Sequence, residues 1–263
     1  LVKQLAKQVY HDEKALIKID MSEFSSGHNS SRLVGATAGY VGHEEGGELT
    51  EKVRKKPYSI VLFDEIEKAH KQVHNLLLQI MEDGELTDGK GRKISFRNTI
   101  IILTSNVGAE RFQSEANSIG FGDKEKDLAM HDHDFDIAKG EVLNDLKNHF
   151  PPEFINRIDA TVVFKPLNRE SIKNIVKLHI KEFTSRLTDR GIELKISGSL
   201  VNTFAKLAYN PEMGAREVRR VLLEKLENPL VEAIVNGEVK EKSKIKVSYD
   251  KKAEICTFEK AKA

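Results

Sequence analysis

Cysteine is nearly missing from this chain, with one residue, Cys256, in 263. A single thiol excludes an internal disulfide and fits a reducing compartment, so the expected location is cytoplasmic. Tryptophan is absent altogether. No apolar run approaches the ~20 residues that a membrane span requires, and no membrane partner is expected. An excess of either charge is also lacking: 42 Lys and Arg stand against 41 Asp and Glu, for a net charge of +1. That balance gives no support for a nucleic-acid surface. No signal peptide is visible. The chain opens on Leu1-Val-Lys-Gln-Leu-Ala-Lys, which reads as the inside of a helix and as the middle of something longer.

What is present centres on Tyr58-Ser-Ile-Val-Leu-Phe-Asp-Glu-Ile-Glu-Lys-Ala-His70. The unbroken apolar run Ile60 to Phe63 suits a strand buried on both faces of a parallel sheet. Asp64 and Glu65 follow at its C-terminal end, where open α/β sheets hold their ligands. Two acids are costly to bury there unless a metal, a water or a cation uses them. The pattern is that of a Walker B motif, with the Asp holding Mg²⁺ and the Glu polarising the attacking water. A strand that ends in a solvated acidic turn has the same local signature.

Around this stretch, Leu1, Leu5 and Val9 share a helical face, and residues 15–20 read as a strand. Residues 21–50 are rich in Ser, Gly and His and contain Gly39-Tyr40-Val41-Gly42, either a loop holding out an apolar tip or a turn with Tyr40 tucked inward. Val73, Leu76, Leu77, Ile80 and Met81 recur at helical spacing. Residues 84–96 predict a hairpin or long loop, and Thr99 to Thr104 a second buried strand. The segment 109–140 is polar and expected to be irregular. Its His131-Asp-His-Asp-Phe-Asp136 run matches no zinc or calcium spacing. A helix near 140–149 and a short strand at 161–164 follow. After Lys165-Pro166-Leu167-Asn168 the character changes. A helix capped by Asn168, further helices from Leu200 and Gly214, and strands at 192–196 and 245–249 predict a separate, mostly helical domain with two short strands. The end, near 257–263, reads as frayed.

Six motifs occur in order: Asp64-Glu-Ile-Glu-Lys-Ala-His70, Leu86-Thr-Asp-Gly-Lys-Gly-Arg92, Phe96-Arg-Asn98, Thr104-Ser-Asn106, Pro152-Glu-Phe-Ile-Asn-Arg-Ile-Asp159 and Gly214-Ala-Arg216. Together they closely resemble the C-terminal AAA+ module of Clp protein-unfolding ATPases, over essentially residues 1–250. The ClpC/ClpA branch, which feeds a peptidase, is the nearer match, and the ClpB disaggregase branch the next. The resemblance implies an AAA+ P-loop-type parallel sheet with helices on both faces in residues 1–165, a smaller lid domain in 166–250, and a tail, 251–263. It implies ATP and Mg²⁺ as cofactors, a hexameric ring of identical subunits, unfolded polypeptide as substrate and a role in protein quality control.

The same resemblance assigns roles. Asp64 and Glu65 keep theirs, with Asp64 the metal ligand. Asn106 becomes sensor 1, Arg157 the arginine finger offered to a neighbouring subunit, and Arg216 sensor 2. Ile175 touches the adenine or is plain core. Tyr40 and Val41 form the axial pore loop, and the turn near Asp88 to Arg92 falls near the same pore. Ile119-Gly120-Phe121 resembles the loop by which such unfoldases bind the ClpP peptidase; the alternative is a local apolar staple.

One departure matters. The family's Walker A loop, of the type Gly-x-x-x-x-Gly-Lys-Thr, would sit immediately before Leu1 and is not among these 263 residues. Without its backbone amides and Lys, the β- and γ-phosphates lose their main cradle. Two expectations follow: an ATP-driven unfoldase motor for the parent protein, and for this chain alone an interaction module unable to hydrolyse ATP.

Overall fold

The computed structural model describes residues 1–35, 46–112, 132–189, 191–210, 213–240, 243–250 and 252–260. The chain divides into two compact units. The first comprises Leu1–Ala109 with Lys139–Val162, the second Glu110–Ala138 with Val163–Ala263.

The first unit is built on a parallel sheet of three strands among the described residues: β1 (Leu16–Asp20), β2 (Ser59–Asp64) and β5 (Thr99–Leu103), in the order β1-β2-β5. The central strand β2 buries Ser59 to Phe63 without interruption, as its apolar run dictates. Register pairs Ile19 with Phe63 and Asp20 with Asp64 on one side, and Phe63 with Leu103 on the other. Helix α4 (Lys71–Asp83) packs Val73, Leu77 and Ile80 into the core. It starts where the His70 ring accepts a bond from the Gln72 amide, and it stops at Gly84, whose φ of 67° closes the last turn. The hairpin β3 (Glu85–Thr87) and β4 (Lys93–Ser95) follows directly.

Several expectations are corrected here. Helix α1 (Val2–Tyr10) forms, but the residue it buries is Ala6, while Leu1 and Val9 stay exposed. The segment 21–50 contains two short helices, α2 (Gly27–Val34) and α3 (Glu48–Lys55). Helix α5 (Asp132–His149) begins eight residues before 140, so His133, Asp134 and Asp136 are helical rather than in a loop. Residues 161–164 form no strand. A strand needs a ladder partner, none pairs with this segment among the described residues, and Val162 and Phe164 remain 70% and 65% exposed. A short helix, α6 (Pro152–Ile155), anchors its surroundings by burying Phe154.

Between the end of α2 and the start of α3 lies a tight junction. Gly35 and Gly46 form an antiparallel bridge. A Cβ on Gly47 would lie 2.2 Å from the Val34 carbonyl carbon, so only glycine fits there. The 88–92 turn braces both sides of this junction. Gly89 N–H donates to the Val34 carbonyl at 2.8 Å, and Arg92 reaches Glu51 on α3 at 2.5 Å. Asp88 is buried and accepts from the amides of Lys90 and Arg92 and from Arg92 Nε.

Among the described residues, the second unit packs four helices against a small sheet. Asn168 caps α7 (Arg169–Thr188) by accepting from Ser171 N–H at 2.8 Å, as its sequence position predicts. Helix α7 buries Ile172, Val176, Ile180 and Phe183 against Phe204 of α8 (Gly198–Leu207) and Val218 and Leu222 of α9 (Ala215–Leu222). A five-residue π turn, Leu223–Glu227, joins α9 to α10 (Asn228–Val235). Pro229 explains it: its ring lacks an N–H and would crowd the Lys225 carbonyl in a regular helix, and a wider turn relieves both. The sheet has three strands, β6 (Glu193–Lys195) parallel to β7 (Lys244–Asp250), and β7 antiparallel to β8 (Ile255–Lys260). Strand β8 replaces most of the expected frayed end, because its alternate residues Cys256 and Phe258 face the core.

Burial pushes the Cys256 thiol up to about 12. Relative to an ordinary thiol this cuts the reactive thiolate about a thousandfold at neutral pH. Native protein should therefore react with a thiol reagent only on the timescale of local opening, and rapid labelling of folded chain would show that β8 does not form. The braced turn gives a pH signature. Bonds from Arg54 and then Arg92 hold Glu51 down to about 2. At Asp88, burial alone would raise the carboxyl, but the bonds from Arg92 and Lys90 outweigh it and leave it below its ordinary value. Both groups are lowered in the folded state, so their stabilisation is present above ordinary carboxylate values and fades as pH falls below about 4.5 toward 2. Arg92→Gln should lower the urea midpoint at pH 7 and converge on wild type near pH 2–3; a deficit that does not vary with pH would contradict this assignment.

Candidate functional site

The site forms where two neighbouring parallel strands end. β2 delivers Asp64, and β5 delivers Thr104, Ser105 and Asn106 beside it. The backbone turns sharply after Asp64. Glu65 adopts φ 58°, ψ 52°, a left-handed conformation that costs a non-glycine residue of order 1–3 kcal/mol. A 3₁₀ turn, Ile66–Lys68, follows and leads into α4.

Asp64 is half-buried and held at both oxygens. Lys18 of β1 pairs with Oδ2 at 2.6 Å, and the Thr104 hydroxyl donates to Oδ1 at 2.5 Å. The bond to Asp64 raises the Lys18 ammonium above its ordinary value. Glu65 is ion-paired with Lys68 at 2.6 Å, which raises Lys68 in the same way. The Glu65 amide donates to Thr104 Oγ1 at 3.1 Å, and the Ile66 amide donates to the Thr104 carbonyl at 2.9 Å. On the same turn, Glu67 Oε1 accepts from the Asn106 amide at 3.1 Å, while Glu67 Oε2 is buried with no partner. His74 of α4 hydrogen-bonds the Ile66 carbonyl at 3.2 Å and lies against Phe150 and Phe154; burial lowers its ring below the ordinary histidine value.

These donors fit a hard divalent cation. Asp64 offers carboxylate oxygens that already attract one cation, the Lys18 ammonium, which a bound ion would displace, and an Mg²⁺ ion needs only one or two carboxylates besides its own waters. The orphaned Glu67 oxygen adds an unfilled acceptor to the same turn. Among the described residues, no cluster of three or more His, Cys, Asp or Glu is placed to form an all-protein metal cage.

The other expected site residues fall as follows. Asn106 is exposed at the strand exit. Arg157, just after α6, is half-exposed and reaches Glu82 at the end of α4. In the second unit, Arg216 is exposed on the first turn of α9, directly after Gly214 at φ 54°. Ile175 on α7 packs against the core of that unit. Tyr40, Val41, Ile119, Gly120 and Phe121 lie outside the described residues. Sequence reasoning gave no role to Lys18, Glu67, Lys68, Thr104 or His74. A signal was available for Thr104, a hydroxyl residue at the exit of an apolar strand next to paired acids, although that strand, β5, is only half-buried along its length rather than buried as expected.

Comparison with known proteins bears on this geometry. Residues 1–161 match the AAA domain (Cdc48 subfamily), and residues 167–247 match the C-terminal, D2-small domain of ClpB protein. The chain is 46% identical over 252 residues to the ATP-dependent Clp protease ATP-binding subunit ClpC of Staphylococcus aureus (strain USA300), covering 96% of this chain and 30% of that protein. It is 44% identical over 258 residues to the chaperone protein ClpB of Oceanobacillus iheyensis, covering 98% of this chain and 31% of that one. It thus spans about a third of the length of these relatives. Among solved structures, the S. cerevisiae Hsp104:casein complex in its extended conformation matches 97% of this chain and 42% of its own, with TM-score 0.82 and 36% identity. Two adjoining domain matches across nearly the whole chain, and this identity to ClpC and ClpB, place the chain in the Clp family of AAA+ ATPases.

Proposed function

We propose that this chain is the ATP-hydrolysing motor module of a protein unfoldase that works as a hexameric ring, with residues 1–165 as its large subdomain and 166–250 as its lid. The observation that carries this reading is the placement of Asp64 and Glu65 at the end of the central parallel strand, next to the strand exit that bears Asn106. Bound ATP·Mg²⁺ supplies the scissile phosphoanhydride and the charge that polarises it. Asp64 holds the ion, directly or through its waters. Glu65 orients and polarises the attacking water once its carboxylate is released from Lys68. Asn106 contacts the γ-phosphate side of the site without adding charge. No Gly-x-x-x-x-Gly-Lys-Thr phosphate cradle occurs among these 263 residues, so this chain by itself is proposed to be nucleotide-incompetent.

Arg157 acts on a neighbour's nucleotide. Its own-chain partner, Glu82, is an exposed ion pair of low value, and the guanidinium exchanges it readily for phosphate oxygens, for which it is better matched. Arg216 and Ile175 serve the nucleotide from the lid. Tyr40 and Val41 grip an extended polypeptide, and Ile119-Gly120-Phe121 docks on a ClpP-type peptidase, with repetition around a ring turning weak contacts into avidity. A second reading, a ClpB-like disaggregase that works without a peptidase, is favoured by the match of residues 167–247 to the small domain of ClpB and by the likeness to Hsp104.

The motor reading is tested in a ring-forming protein that carries this chain behind a Walker A loop. Glu65→Gln should still bind ATP but hydrolyse it ~10²–10⁴-fold more slowly. Arg157→Ala should lose ATPase activity yet keep its melting temperature, and mixing it with Glu65→Gln subunits should restore some sites, since the two defects act on different faces. Near-normal turnover in Glu65→Gln sinks the reading. Phe121→Ala separates the two branches: retained ATPase with lost ClpP-coupled degradation supports the peptidase branch, whereas a wild-type protein that ignores ClpP in a pull-down supports the disaggregase.

A further inference from the structure

We infer that Thr104 is the positioning residue that sets the geometry of both acids, a role beyond those proposed above for Asp64, Glu65 and Asn106, though it gains its catalytic meaning from that reading. Four hydrogen bonds from this one residue cover the turn from Phe63 to Ile66. Its amide donates to the Phe63 carbonyl at 3.0 Å, and its carbonyl accepts from Ile66 N–H at 2.9 Å. Its hydroxyl accepts from Glu65 N–H at 3.1 Å and donates to Asp64 Oδ1 at 2.5 Å.

The direction of the hydroxyl chain is fixed by counting protons. The Glu65 amide can only donate. The hydroxyl has one proton, which therefore goes to Asp64 Oδ1, while Lys18 donates to the other carboxylate oxygen. The chain Glu65 N–H to Oγ1–H to Oδ1 thus does two things at once. It holds Glu65 in a left-handed backbone conformation that the residue would not otherwise keep, and it fixes the plane of the Asp64 carboxylate. Both acids take their aim from the neighbouring strand rather than from their own. A backbone ladder alone could hold the strands, but aiming both acids takes a side chain that accepts from one acid's amide while donating to the other's carboxylate, which the Thr104 hydroxyl does with a single atom.

The test pairs Thr104→Val, which keeps the shape and removes the hydroxyl, with Thr104→Ser, which keeps the hydroxyl and removes a methyl. The first measurement needs no nucleotide: amide hydrogen exchange in the 263-residue chain. Glu65 N–H should exchange at least ~10-fold faster in Thr104→Val and near the wild-type rate in Thr104→Ser. Unchanged exchange in Thr104→Val overturns the inference, and so does a Thr104→Ser chain as exposed as Thr104→Val, because that would make the methyl's packing the cause. If Thr104→Val does not fold, the unmutated chain still decides. A bonded Thr104 hydroxyl proton should give a slowly exchanging NMR signal close to the Glu65 amide, and a freely exchanging hydroxyl overturns the inference.

The second measurement uses the ring-forming protein. Thr104→Val should lower kcat by about 10–100-fold with KM for ATP changed less than about threefold, since misaimed acids harm the transition state more than ground-state binding. Thr104→Ser should restore most of kcat. A matched rise in KM with unchanged kcat contradicts the positioning role. The two proposals fail separately. If Glu65→Gln hydrolyses ATP normally, the motor reading falls while the exchange result still stands; if exchange is unchanged but Glu65→Gln is dead, only the role of Thr104 falls.

Discussion

The parallel pairing of β2 with β5 is the constraint on which the rest of the first unit depends. Its register aligns Phe63 with Leu103, so the residues that follow each strand leave the sheet at the same level. From that alignment come the contacts of Thr104 with Asp64, Glu65 and Ile66, and of Asn106 with Glu67. Side-chain period in a strand is two, so a slip of one residue would turn Thr104 to the other face of the sheet and leave both acids without their donor. The apolar runs of both strands enforce the register, β2 by full and β5 by partial burial, and the polar chemistry at the exits follows from it at the local cost of the left-handed Glu65 backbone.

Helix α4 extends this arrangement. At its start, His74 contacts the carbonyl of Ile66 and the ring of Phe154; at its end, Glu82 meets Arg157. The turn that bears one proposed catalytic group and the segment that bears the proposed arginine finger therefore rest on one helix.

Much of the site was legible because its signal is local. An apolar run followed by two acids defines β2 and its exit within six residues, and the Asn168 cap and the periodicity of α4 are equally short-range. What the sequence hid depends on distant partners. Helices α2 and α3 escaped because Ser, Gly and His dominate their surroundings, and their packing comes from Leu33, Leu49 and Val53 meeting a core assembled elsewhere. Strand β8 looked like a charged tail because only alternate residues meet the core and β7 supplies its ladder. Residues 161–164 carry strand-like side chains but find no ladder among the described residues, showing that propensity without a partner gives no strand. Lys18 carries no motif of its own, and Thr104, though it opens the Thr104-Ser-Asn106 motif, acquires its role only because the sheet brings it to Asp64.

The π turn between α9 and α10 keeps time for the second unit. Its buried residues Val218, Leu222, Leu226 and Leu230 recur every four positions, whereas a regular helix repeats every 3.6. Each step of four overshoots by about 40°, so three steps would carry Leu230 about 120° away from the face that Val218 presents. The wider turn takes up that overshoot and returns the sequence to phase, letting one continuous helical path press the same side against the core from Val218 to Ala233. A missing residue there would act like a slipped gear tooth: α10 would still be a helix, but it would turn the exposed Val231 toward the core in place of Leu230.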